Sequence, residues 1–62
     1  MRANVESYAV LGRNLHAVIV RDGDQQETIG TYVNWDDAHN VMLKINYRLE
    51  EMGKLDNVKF GI

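Results

Sequence analysis

The alternation of apolar and polar positions divides the chain into three short extended segments, one long helix and a short extended tail. SYAVLG and LHAVIV flank a break at Gly12-Arg13-Asn14, and β-branched residues enrich the second run, which predicts a β-hairpin. Asp22-Gly23 predicts a second tight turn, because glycine tolerates the positive φ that such turns require. A third strand at about residues 27–33 should follow.

The segment after the third strand has the spacing of an amphipathic helix. Asn34 is placed to cap its first turn, Asp36 and Asp37 suit the positive end of the helix dipole, and Gly53 supplies a left-handed stop. We therefore predict a helix over residues 35–52. At about 100° per residue one stripe of it is apolar. That stripe holds Ala38, Val41, Met42, Ile45, Leu49 and Met52.

The tail NVKFGI alternates Val58, Phe60 and Ile62 with Lys59 and Gly61, which predicts a fourth, half-buried strand. The helix must return along the sheet before this strand starts. We therefore expect the strand to run parallel to the first and third, through a right-handed crossover. It could pair beside strand one, beside strand three, or in the sheet of a neighbouring molecule.

The predicted fold is a single small α+β domain over residues 1–62, with a three-stranded antiparallel sheet, a C-terminal strand and one long helix on one face. No internal repeat or linker divides the chain. A domain of 62 residues buries only about 60% of its unfolded surface, so its stability margin is small. The absence of cysteine excludes disulfides and thiolate metal sites, which leaves idealised packing or oligomerisation as the means of stabilisation.

The run LHAVIV has apolar side chains on both faces of a strand, while one helix covers only one face of a sheet. We place Leu15, Ala17 and Ile19 toward the helix, although a turn shifted by one residue would exchange the faces. That side also takes Tyr8, Val10, Ile29 and Val33. The other face then forms an apolar patch of Leu11, His16, Val18, Val20 and Tyr32. Either these side chains are ordinary scattered surface residues, or a second copy or another protein covers them.

The helix has apolar residues on its solvent side as well. Leu43 and Tyr47 are four residues apart and lie opposite the apolar stripe. Tyrosine combines a large contact area with a polar tip, so the pair is a candidate interface anchor. The alternative is an intrahelical pair worth a few tenths of a kcal/mol. Trp35 either packs at the rim of the core or forms an exposed anchor.

Catalytic and metal chemistry finds little support in the sequence. Ser7 is the only serine, the two histidines are far apart in sequence, and no elbow motif surrounds Ser7. Asp36 and His39 are three residues apart, but two ligands do not make a metal site. We expect a protein that is not an enzyme and holds no cofactor or metal.

Charge disfavours some partners. Seven basic against nine acidic residues give a net charge of -2, which argues against nonspecific binding to nucleic acid or to an anionic membrane. No run approaches the roughly 18 apolar residues of a spanning helix, and the first residues do not resemble a signal peptide, so a cytoplasmic location is expected. The alternative function is a small nucleic-acid-binding protein that uses a sheet face and the helix flank with Lys44 and Arg48.

The sequence favours a non-catalytic protein-binding module, either a homodimer or a small modulator or inhibitor of a larger protein. It would act by steric occlusion or by sheet extension. Its partner is a protein or a second copy of itself. Small charge-mixed chains without enzyme motifs are often encoded by phages or mobile elements, and that origin is a hypothesis by association. The predicted interface consists of Leu11, His16, Val18, Val20, Tyr32, Leu43 and Tyr47.

Overall fold

A computed structural model describes residues 1–55, which form a three-stranded antiparallel sheet with one helix packed on one face. The strands lie side by side in the order β1-β2-β3. The α+β, βββα part of the predicted fold is thus confirmed. The predicted C-terminal strand, residues 57–62, lies outside the described residues. The elements are β1 (Arg2–Val10), β2 (Arg13–Asp22), β3 (Gln25–Tyr32) and α1 (Trp35–Glu51).

Strand β1 begins at Arg2, five residues before the start that the sequence predicts. Its first half has the alternation of a half-buried strand, with Arg2, Asn4 and Glu6 exposed, Ala3 buried and Val5 half-buried. The apolar residues are small and interrupted by polar ones, so the segment lacks the continuous apolar run that marks β2. This alternation identifies the face of the sheet that carries the core.

Each hairpin closes through a two-residue turn. In the first, Val10 pairs with Arg13, so the turn is Leu11-Gly12 instead of the predicted Gly12-Arg13-Asn14 break. Its residues have φ of 50° and 78°, and positive φ at both central positions is the mark of a type I′ turn. The second turn lies where Asp22-Gly23 predicts it, between the paired residues Asp22 and Gln25.

Strand register decides which side chains share a face. Val5 lies opposite Val18, and Val18 lies opposite Gly30 of β3, so these positions belong to one face. The β1 residues of this face, Ala3 and Val5, are buried and half-buried, whereas the alternate residues of β1 are exposed. The Ala3 backbone also binds Asn46 of the helix, so the helix lies on this face. We call the other side the open face. In β1 and β2 it consists of Arg2, Asn4, Glu6, Tyr8, Val10, Arg13, Leu15, Ala17, Ile19 and Arg21.

The helix therefore covers the face opposite to the predicted one. Leu15, Ala17 and Ile19 were expected beneath it, but they lie on the open face with Tyr8 and Val10. Within the predicted open patch, Val18 is a core residue. His16, Val20 and Tyr32 are half-buried on the helix side, and Leu11 alone is exposed. The reason is that alternate residues of a strand point to the same face. Ala3 and Val5 of β1 therefore share a face, and Val18 joins them because it pairs with Val5.

An irregularity in β3 removes two further residues from the predicted core. The register shifts between Val18 and Ile19, which leaves Ile29 as the extra residue of a β-bulge. Ile29 and Val33 were expected to face the helix, but both are exposed. Next to the bulge, a Cβ on Gly30 would lie 3.0 Å from Tyr32 Oη, so glycine makes room for the tyrosine ring.

Helix α1 ends within one residue of the predicted boundaries, and both predicted caps are present. Asn34 Oδ1 accepts a hydrogen bond from the Asp36 backbone N–H at 2.9 Å. At the other end Gly53 has φ of 71° and its N–H donates to the Glu50 carbonyl. Lys54 N–H donates to the Leu49 carbonyl at 2.8 Å, which completes a Schellman motif.

The core of the described residues is small. Valine at position 18 is its largest fully buried side chain, and Ala38 and Leu49 are the buried residues of the helix. Strand β3 ends at Tyr32, opposite His16, so the β1–β2 hairpin continues past the end of the third strand. This extension positions the candidate site. The buried residues are Ala3, Ala17, Val18, Ile19, Ala38 and Leu49.

Candidate protein interface

Apolar side chains are exposed where the β1–β2 hairpin extends beyond β3. Leu11 at the turn is 99% exposed, and Tyr8 and Val10 are 44% and 43% exposed. Tyr8 and Val10 are two residues apart in one strand, so both lie on the open face. We call Tyr8, Val10 and Leu11 the hairpin tip. No other element of residues 1–55 covers it.

The backbone of Leu11 is strained. Its φ of 50° makes it the only residue other than glycine with a positive φ among the described residues. A left-handed conformation costs an L-residue about 1–2 kcal/mol, which is why asparagine, aspartate or glycine usually occupies this position of a type I′ turn. Because its side chain is almost fully exposed, leucine gains no packing within the chain in return. The fold of residues 1–55 therefore gives no reason for leucine at this position.

Arginines surround the apolar residues of the open face. Arg2 pairs directly with Arg21, and Arg13 pairs with Val10 beside the hairpin tip. Glu6 is the only acidic residue that β1–β3 place on this face, and its Oε1 lies 3.2 Å from Arg21 Nη2. Three arginines against one glutamate give the open face a positive charge, although the whole chain has a net charge of -2.

The centre of the open face is buried, although the helix lies on the other face. Ile19 and Ala17 are buried there. Glu6 lies opposite Ala17, and Arg21 follows Ile19 by two positions, so the ion pair between them crosses this region. The apolar surplus that the sequence predicts for the uncovered face is therefore concentrated at the hairpin tip.

A second exposed surface runs along the helix. The rings of Trp35 and His39 are stacked, with centroids 4.5 Å apart and an interplanar angle of 17°. Leu43 and Tyr47 continue the same spacing of four residues and are 50% and 65% exposed. We call Trp35, His39, Leu43 and Tyr47 the helix row. Trp35 is about half-exposed, so it packs at the rim through His39 rather than in the core.

Ser7 and His16 meet across β1 and β2, a contact that sequence spacing does not reveal. Ser7 Oγ lies 2.7 Å from His16 Nδ1. A catalytic pair also needs a group that orients the imidazole, and in residues 1–55 no carboxylate hydrogen-bonds to His16. We therefore interpret the contact as a cross-strand hydrogen bond. It lies on the same face as Val18, at a place that is exposed to solvent.

The histidine of the helix does not take part in a metal site within the described residues. His39 stacks on Trp35, and residues 1–55 contain no group of three or more histidine, aspartate or glutamate side chains that could hold a metal ion. No helix within the described part of the chain has the length and apolar character needed to cross a bilayer.

The predicted interface residues are divided among three places. Val18 lies in the core, His16, Val20 and Tyr32 flank it, and the exposed residues are Leu11 in the hairpin tip and Leu43 and Tyr47 in the helix row. Sequence reasoning assigned Tyr8 and Val10 to the helix side. The signal that could have placed them correctly is the pair of alternations Ala3/Val5 and Arg2/Asn4/Glu6 in β1.

The chain was compared with models of protein families, with curated protein sequences and with solved structures, and none of the three comparisons gave a match.

Proposed function

We propose that this chain is a non-catalytic protein-binding module that inserts its hairpin tip into an apolar pocket of a larger protein. The observation that carries the proposal is Leu11, which is 99% exposed and has a left-handed backbone that leucine rarely adopts. A residue selected only for the turn would be asparagine or glycine. A side chain selected for binding explains leucine.

Burial in a partner reverses this energetic disadvantage. Full burial of a leucine side chain stabilises a complex by about 1.5–3 kcal/mol, which offsets the strain of its backbone. Tyr8 and Val10 lie beside it and add apolar area, and tyrosine is enriched among residues that dominate binding. The two-residue turn also holds the tip in one conformation, so little conformational entropy is lost on binding.

The arginines define the chemistry of the partner. Arg13 lies at the base of the tip, and Arg2 and Arg21 lie farther along the same face. A pocket with an acidic rim would match this arrangement, and opposite charges around an interface raise the association rate and orient the partners. Occlusion of such a pocket is a mechanism for a small modulator or inhibitor.

The test is affinity capture with the purified chain from extracts of the cells that produce it, followed by titration of the captured protein against purified variants. We expect Leu11→Asn to weaken binding at least tenfold, because asparagine suits the turn but removes the apolar side chain. Tyr47→Ser is the matched control, since it truncates a large side chain of the helix row that is 65% exposed. If Leu11→Asn binds like the wild type while Tyr47→Ser does not, the helix row is the binding surface and this proposal is wrong.

Single-stranded nucleic acid is the second candidate ligand, and one observation favours it. Tyr8 shares the open face with Arg2, Arg13 and Arg21, and an exposed aromatic among cations on a sheet can stack a base and contact phosphates. Lys44 and Arg48 belong to the helix, which lies on the other side of the sheet, so the structure separates them from this surface.

Fluorescence anisotropy with labelled oligonucleotides distinguishes the two candidates. Three phosphate contacts would give a slope of about -2 in a plot of log K against log salt concentration for a single strand. Arg13→Gln should then reduce that slope, and Lys44→Gln should leave it unchanged. Absence of binding at low salt would remove this candidate.

A further inference from the structure

The outer edge of β1 has backbone groups without a partner in the described part of the chain. Strand β1 pairs with β2 on one side only. The Ala3 N–H and carbonyl bind the side chain of Asn46, so they point away from β2. Because backbone groups alternate in direction along a strand, those of Val5, Ser7 and Ala9 point to the same outer edge.

The two edges of the sheet differ in how they are protected. Bulges and covering side chains commonly protect edge strands from pairing with another chain. Strand β3 has the bulge at Ile29, and Asn46 occupies the edge of β1 at Ala3. The stretch from Val5 to Ala9 has no proline, glycine, lysine or bulge, and its only charged residue, Glu6, is paired with Arg21. Within residues 1–55 this stretch is therefore a regular, unblocked edge of five residues.

Among the described residues, one register of self-pairing uses the whole of this edge. Antiparallel pairing centred on Ser7 places Val5 opposite Ala9 of a second copy and uses all three outward-facing residues, with about six backbone hydrogen bonds. A register centred on Glu6 would place two carboxylates directly opposite each other. A register centred on Val5 would need the backbone groups of Ala3, which Asn46 occupies.

We infer that β1 pairs with β1 of a second copy through Val5–Ala9, about a two-fold axis at Ser7, to form a continuous six-stranded antiparallel sheet. In this register Glu6 lies opposite Tyr8 of the second copy. The two Tyr8 side chains are diagonal neighbours on the open face, within reach of each other. The inference does not rest on the proposed binding by the hairpin tip, because Leu11 takes no part in the pairing.

Analytical ultracentrifugation of the full chain over a range of concentrations tests the inference with two variants. Ser7→Pro removes the central outward N–H, and the fold tolerates it because that N–H makes no bond to β2. Ser7→Ala is the matched control, since it loses only the hydroxyl that contacts His16. We expect the wild type and Ser7→Ala to dimerise and Ser7→Pro to require at least tenfold higher concentration, with the same circular dichroism.

Disulfide trapping gives a readout that does not depend on how Ser7→Pro folds. The chain contains no cysteine, and directly opposite residues of a hydrogen-bonded pair have Cα atoms about 5.5 Å apart, within the range of a disulfide. Mild oxidation should therefore join two copies of Ser7→Cys and leave Ala9→Cys largely unjoined, because Ala9 meets Val5. A wild type that stays monomeric, a dimer that Ser7→Pro leaves intact, or equal cross-linking of both cysteine variants would each overturn the inference.

Discussion

The side-chain amide of Asn46 pairs with the backbone of Ala3 as another strand would. Asn46 Oδ1 accepts the Ala3 N–H at 2.8 Å, and Asn46 Nδ2 donates to the Ala3 carbonyl at 3.0 Å. The two residues are 43 positions apart, so this contact joins the last third of the helix to the start of the chain. It fixes the helix over β1 and blocks the edge of the sheet at that point.

Replacing Asn46 with alanine should destabilise the fold by about 1–3 kcal/mol, because it leaves two partly buried backbone groups without partners. Asn46→Asp should also destabilise, since a carboxylate accepts the N–H but cannot donate to the carbonyl. Urea unfolding at a fixed protein concentration measures both. Asn40→Ala is the control, because Asn40 is exposed on the same helix and alanine has a higher helix propensity. Equal stability of Asn46→Ala and Asn40→Ala would contradict the role given to the pair.

Leu11→Asn should stabilise the isolated chain by up to about 1–2 kcal/mol, because asparagine tolerates the left-handed conformation and no packed side chain is lost. Gly12→Ala should have the opposite effect. Its φ is 78° and a Cβ there would meet no atom within 4 Å, so only backbone strain is added. Thermal unfolding of both variants tests the turn. A loss of stability in Leu11→Asn would show that Leu11 supports the fold, which removes the reason for assigning it to binding.

Val18→Ala and Val10→Ala test which face of the sheet carries the core. Val18 is fully buried beneath the helix, so its truncation should cost about 2 kcal/mol through lost burial and a cavity. The same substitution at the exposed Val10 should change the unfolding free energy by less than about 0.5 kcal/mol. Guanidinium titrations give both values. A larger effect at Val10 would restore the face assignment that the sequence first suggested.

Local signals in the sequence were sufficient for some elements and insufficient for others. The helix ends were predicted within one residue because Asn34 and Gly53 act on neighbouring backbone groups. The sequence left open which face the helix covers, and the assignment that we placed first is reversed in the structure. The covered face depends on contacts distant in sequence, namely the packing of Ala3 and Val18 under the helix. Among the predicted interface residues, helical spacing was enough to predict that Leu43 and Tyr47 are exposed. The position of the turn at Leu11-Gly12 could not be predicted in the same way, because it depends on the pairing register of β1 and β2.

Glu6→Gln should reveal the repulsion between the arginines of the open face. Glu6 forms an ion pair with Arg21, which lies directly opposite Arg2, and like charges opposite each other are destabilising. The pair is about half-exposed, so its loss should cost less than about 1 kcal/mol at low salt. At 1 M salt, where the screening length is about 3 Å, most of that loss should disappear.

Glu27→Gln is the matched control, because Glu27 is exposed and lies opposite Val20. If unfolding of the two variants depends on salt in the same way, the arginines of the open face do not interact and the positive surface proposed for an acidic partner loses its support.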